Sequence, residues 1–87
     1  MIAPLPAILD TPAAGPLRVT LRQAVEKGQP LLLDGAAVER IGTACLQVLL
    51  AGREAAARGA LPFAIVNPAP ALVEMAALAG LDDLVTV

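Results

Sequence analysis

Histidine, tryptophan and tyrosine are missing from this 87-residue chain, which has one phenylalanine (Phe63) and one cysteine (Cys45). Without histidine, neither a Ser–His pair nor a His-based metal site can form. Without aromatic platforms, little is available to stack bases or sugars. A single cysteine allows no internal disulfide, which fits a reducing cytoplasmic compartment. Cations are also scarce: 6 Lys and Arg face 8 Asp and Glu, for a net charge of −2. No basic stretch exists to neutralise phosphates, so nucleic acid is not an expected partner. Long apolar runs are missing too, despite an apolar fraction of 57%. Charges from Arg18 to Asp83 interrupt every stretch before the roughly 20 residues of a membrane span, so no direct membrane insertion is expected. Pro4 and Pro6 break the N-terminal segment that a signal peptide would need to keep continuous. Gly35 and Gly42 do not make a nucleotide-binding fingerprint, and the carboxylates are scattered rather than paired for acid–base work. No catalytic residue, metal or cofactor is therefore expected; a small enzyme or ligand carrier is the different-class alternative.

The residues that are present describe a small domain over 1–87 with an aliphatic core of Leu, Val, Ile and Ala. Its centre is the stretch from Leu31 to Leu50. Three leucines behind Pro30 suit a strand over 30–34 that is buried on both faces. A turn at Asp34-Gly35 and a loop carrying Glu39 and Arg40 follow. A helix is predicted over 43–58, with Cys45, Val48, Leu49 and Gly52, widened by Leu46 and Leu50, toward the sheet, and Gly59 as its stop. Before this unit, Ala7-Ile8-Leu9 reads as a short edge strand and 11–15 as a turn-rich link. A helix over 16–27 follows, with Gly15 as N-cap and Pro16 in the first turn. Arg18, Arg22 and Glu26 fall on its outer side at i, i+4. After the centre come a buried strand over 63–67 and a helix over 70–79 closed by Gly80-Leu81. A last strand is predicted over 84–87. Strands alternating with helices imply βαβ units, hence an α/β domain with a small, mostly parallel or mixed sheet of about four strands and about three helices.

Leu33-Asp34, then Val38, Ile41, a small residue, the hydroxyl of Thr43, and Leu46 with Leu49-Leu50 resemble the STAS domain family. The family takes its name from sulfate transporters and anti-sigma-factor antagonists. The resemblance continues through Phe63-Ala-Ile-Val-Asn67 and Ala71-Leu72 to Gly80-Leu81, covering most of 5–84. It implies a mixed sheet flanked by helices, used for docking to partner proteins rather than for catalysis. In anti-sigma antagonists of this family an Asp-Ser-Ser-Gly sequence caps the second helix, and a partner kinase phosphorylates its second serine. Here Gly42 stands for the Asp, Thr43 for the first Ser, Ala44 for the phosphorylated Ser and Cys45 for the Gly. Ala44 has no hydroxyl, so the usual phosphoswitch cannot operate at that position. Thr followed by Ala is more like the STAS proteins of phospholipid-trafficking ABC transporters and of chemotaxis signalling. The family's N-terminal hairpin has little room here, since the first ten residues are interrupted by prolines.

The resemblance makes Asp34, Glu39, Arg40, Gly42, Thr43, Ala44 and Gln47 the expected contact and regulatory residues, with Thr43 a candidate phosphoacceptor. The implied partner is a regulatory kinase or anti-sigma factor or a chemotaxis protein, with the ATPase of a phospholipid-trafficking ABC transporter as the alternative. Each residue has a plainer reading beside the functional one. Thr43 serves as an ordinary N-cap. Cys45 packs as a small apolar core residue, unless the helix terminus lowers its pKa. Asp34 is the polar end of a strand, and Glu39 with Arg40 a solvated loop; the functional reading has the pair border the docking surface and set partner choice by charge.

Overall fold

The computed structural model describes residues 2–85. In chain order its elements are β1 (Ala3–Pro4), β2 (Ile8–Leu9), α1 (Thr11–Glu26), β3 (Leu31–Asp34), β4 (Arg40–Ile41), α2 (Thr43–Arg58), β5 (Phe63–Val66), α3 (Pro70–Leu78) and α4 (Asp82–Val85). Every pairing among the described residues is parallel. One sheet has the order β1-β3-β5 and a second pairs β2 with β4. No hairpin joins β1 to β2. They run as two short edge pieces, broken by Pro6, against β3 and β4 respectively.

Helix α1 begins five residues earlier than the sequence suggests. Asp10 is its N-cap, accepting the Ala13 N–H at 3.3 Å, and Pro12 lies in the first turn, so 11–15 are helical and not a link. Pro16 consequently lies inside the helix, where it lacks the N–H that would bond Pro12. Leu17 and Leu21 are buried, with Ala24 and Val25 packed at the edge of the core. The outer side carries Arg18, Arg22 and Glu26, but among the described residues these do not close into ion pairs. At the helix end Gly28 takes φ +69° and Gln29 N–H reaches back to Ala24 C=O at 2.9 Å, a left-handed stop suited to glycine.

Helix α2 spans 43–58 as the pattern predicts, burying Cys45, Leu46, Val48, Leu49, Gly52 and Ala56. It packs beside α1, and Gly52 sets the approach: a Cβ there would lie 2.8 Å from a methyl of Leu21. Gly59 is the C-cap of α2, ending the helix where the sequence puts the stop, and the left-handed residue is the next one, Ala60, at φ +55°. The strands are buried on alternate residues rather than on both faces. Leu31, Leu33 and Ile65 are in the core, while Leu32, Ala64 and Val66 are half-exposed. The chain end also differs from expectation: residues 82–85 form a helical turn with Leu84 buried, and 86–87 lie outside the described residues. Arg53 of α2 holds this turn through a 3.3 Å ion pair with Asp83.

Candidate docking site at the start of the second helix

The site is built on two short parallel strands. Ile8 is in register with Arg40 and Leu9 with Ile41. In a parallel pair, residues in register share a face, so Leu9 and Ile41 point into the core while Ile8 and Arg40 stay exposed. The backbone carbonyls of Ala7 and Leu9 fix the ledge that leads into α2. Ala7 C=O accepts from Glu39 N–H at 2.8 Å and Arg40 N–H at 3.1 Å, and Leu9 C=O accepts from Gly42 N–H at 2.9 Å. Arg40 is thus a strand residue and not part of the loop.

Gly42 is the N-cap of α2, in extended conformation, and supplies no capping side chain. Thr43 is the first helical residue. It is exposed, and among the described residues its hydroxyl makes no hydrogen bond. The plain N-cap reading of Thr43 therefore does not hold: the residue that could have capped is one place too late, and no side chain caps the first turn. Ala44 is half-buried and Gln47, one turn from Thr43, is exposed. Glu39, Arg40, Thr43 and Gln47 form one exposed run along the ledge and first turn, with exposed Ile8 beside Arg40.

Asp34 stands apart from this run. Its carboxylate accepts the Ala36 N–H at 2.9 Å, the local turn that short Asp side chains make. It thus starts the 35–39 loop and, among the described residues, bonds nothing on α2.

Cys45 is fully buried, and its Sγ–H donates to Asp10 C=O at 3.2 Å. This contact brings the start of α1 beside the start of α2. Sequence reasoning missed Asp10, although Asp-Thr-Pro is an ordinary helix-opening signal. Burial pushes the Cys45 thiol above its ordinary pKa, and the negative charge of Asp10 adds to the rise, so the helix terminus does not make it reactive. The folded protein thus holds this proton more tightly than the unfolded chain does. Stability should be constant below the unfolded thiol pKa, about 8.5, and fall as pH rises above it. Chemical denaturation from pH 7 to 10 checks this: the alkaline loss is expected to shrink in Cys45→Ala, and thiol reagents should label the native protein only at its opening rate.

The family model described as "Mlab, STAS domain" matches residues 5–86. The chain belongs to the STAS domain family. No curated protein matches it. STAS domains act as regulatory and protein-interaction modules and are generally non-catalytic. Among the described residues no three of Cys, Asp and Glu gather as metal ligands, and no helix is long and apolar enough to cross a membrane.

Proposed function

We propose that this STAS domain works in the cytoplasm as a non-catalytic docking subunit. Its contact surface is the ledge and first turn of α2: Glu39, Arg40, Gly42, Thr43, Ala44 and Gln47. Asp34 shapes the loop behind them. The observation that carries this reading is the free hydroxyl of exposed Thr43 at the head of a sixteen-residue helix whose first turn has no side-chain cap. Unsatisfied amides and a positive helix end offer a partner polar contacts that no group of the chain itself supplies there. Ile8 adds an apolar contact beside Arg40.

The Mlab description of the family match and the lack of a hydroxyl at Ala44 favour one partner: the ATPase subunit of a phospholipid-trafficking ABC transporter. A regulatory kinase, anti-sigma factor or chemotaxis protein is the second reading. It is supported by the exposure of Thr43, since a phosphate there would be favoured by the helix terminus and would block the surface by charge and bulk. Calorimetric titration against each partner type separates the two. Thr43→Glu is expected to weaken binding at least about tenfold, the scale of one lost central contact, with the circular dichroism spectrum unchanged. Unchanged affinity for Thr43→Glu would remove Thr43 from the contact surface.

A further inference from the structure

Away from the docking ledge, two surfaces of the chain remain uncovered, and they are complementary. The first is a groove of about 410 Å³ between α1 and α2, floored by Val48, Gly52 and Ala55 and rimmed by the guanidiniums of Arg18, Arg22 and Arg58. Glu26 is its one acidic lining residue, and among the described residues none of the three arginines is ion-paired. Exposed Ala51 and half-buried Ala55 are the small side chains that leave room for an incoming apolar group, and the arginines favour carboxylates around it.

The second surface is the outer face of α3. At about 100° per residue, Val73, Ala77, Glu74 and Leu78 fall in one arc of about 140°. All four are exposed, Val73 by 41% and Leu78 by 83%. Apart from Glu74 the helix is apolar all round, a composition suited to a helix covered on both sides. No Lys or Arg follows Arg58, so this part of the chain carries negative charge only, at Glu74, Asp82 and Asp83.

We propose that the protein associates head to tail, the Val73–Leu78 face of one copy seating in the Arg18–Arg22–Arg58 groove of the next. Leu78 enters over Ala51 and Ala55, and Glu74 meets the guanidinium rim. The contact is heterologous, so an assembly of any length keeps one free groove at one end and one free α3 face at the other and is open-ended. A groove of this size seats one or two side chains. The association is therefore weak and dynamic, as for interfaces below about 1,200 Å².

Sedimentation of the full chain between about 10 µM and 1 mM tests this, over the range expected of a weak contact. The mean mass should rise with concentration above the 8.8 kDa of one copy and fall back as salt screens the arginines. Leu78→Asp and Arg22→Glu should each sediment as monomers at every concentration, with far-UV spectra and melting temperatures like the parent. Mixed in equal amounts, they should form a dimer and nothing larger, because one variant keeps the groove and the other the α3 face. A parent that stays monomeric throughout overturns the proposal. So does a pair of variants whose mixture fails to recover the dimer. Neither result touches the ledge at Thr43.

Discussion

Gly35→Val is expected to destabilise the protein by about 3 kcal/mol, at the upper end of what overpacking a closed site costs. A Cβ at this position would lie 2.9 Å from a Leu72 methyl, 3.2 Å from an Ile65 methyl and 3.2 Å from the Pro68 Cα. Leu72 and Ile65 are 0% and 1% exposed, so neither can swing outward, and the third neighbour is backbone. The glycine also joins three elements through its own peptide groups. Its N–H donates to Val66 C=O at 2.9 Å, and its C=O accepts from Ala69 N–H at 3.1 Å and Val38 N–H at 3.3 Å. Moving it to relieve the clash therefore strains the exit of β5, the entry to α3 and the loop toward the docking ledge together. The melting temperature should fall by about 12–24 °C, at 4–8 °C per kcal/mol for a domain of this size. Gly15, with nothing within 4 Å of its Cβ position and a place inside α1, gives the contrast. Gly15→Ala should leave stability unchanged or raise it by up to about 1 kcal/mol.

Leu46→Ala is the second large effect. Leu46 is fully buried in the first turn of α2, where its N–H bonds Gly42 C=O at 3.1 Å. Truncating a buried leucine costs about 2–5 kcal/mol, part from lost transfer and part from the cavity left. A chain of this length has about 4–13 kcal/mol in all, so a large part of the margin is lost. Urea unfolding should show a lower midpoint with the slope unchanged. Because the same turn presents Thr43, partner affinity should weaken as well, even at temperatures where the variant is folded. Unaltered affinity would mean that the hydroxyl is presented independently of the packing beneath it.

The middle of the chain was the most legible. Leu31-Leu32-Leu33 and the apolar spacing from Cys45 to Ala56 carry strand and helix periods that tertiary packing reinforces, so β3 and α2 lie where the pattern puts them. The start of α1 was harder because two openings compete: Asp10 with Pro12, and Gly15 with Pro16. The carboxylate cap wins, since Asp10 satisfies a free amide that Gly15 cannot, and the helix tolerates Pro16 one turn in. Gly59 closes α2 where the pattern puts it, as the C-cap after Arg58, and the left-handed residue is its neighbour Ala60. At the C-terminal end, β-branched residues suggested a strand, yet Leu84 gains more by filling the core and Arg53 holds Asp83 on the helical side. At the candidate site, the exposure of Thr43 and Gln47 followed from the helix period. The approach of Asp10 to Cys45 and the exposure of Ile8 did not, because the first depends on how the two helix starts meet and the second on which strands lie side by side.

The all-parallel pairing also bears on how the molecule is made. Ala3 waits for Leu33, Ile8 for Arg40 and Leu31 for Phe63, so every strand contact closes a loop of about thirty residues and none can form as a local hairpin. On the ribosome, β3 has its second neighbour only once Val66 has emerged, while the two long helices can already coil. The nascent chain therefore passes through a stage with helices formed and leucine-rich strand edges bare. Acquisition of the native state should be slow for a domain of this size, and most vulnerable to misassociation until β5 has joined β3.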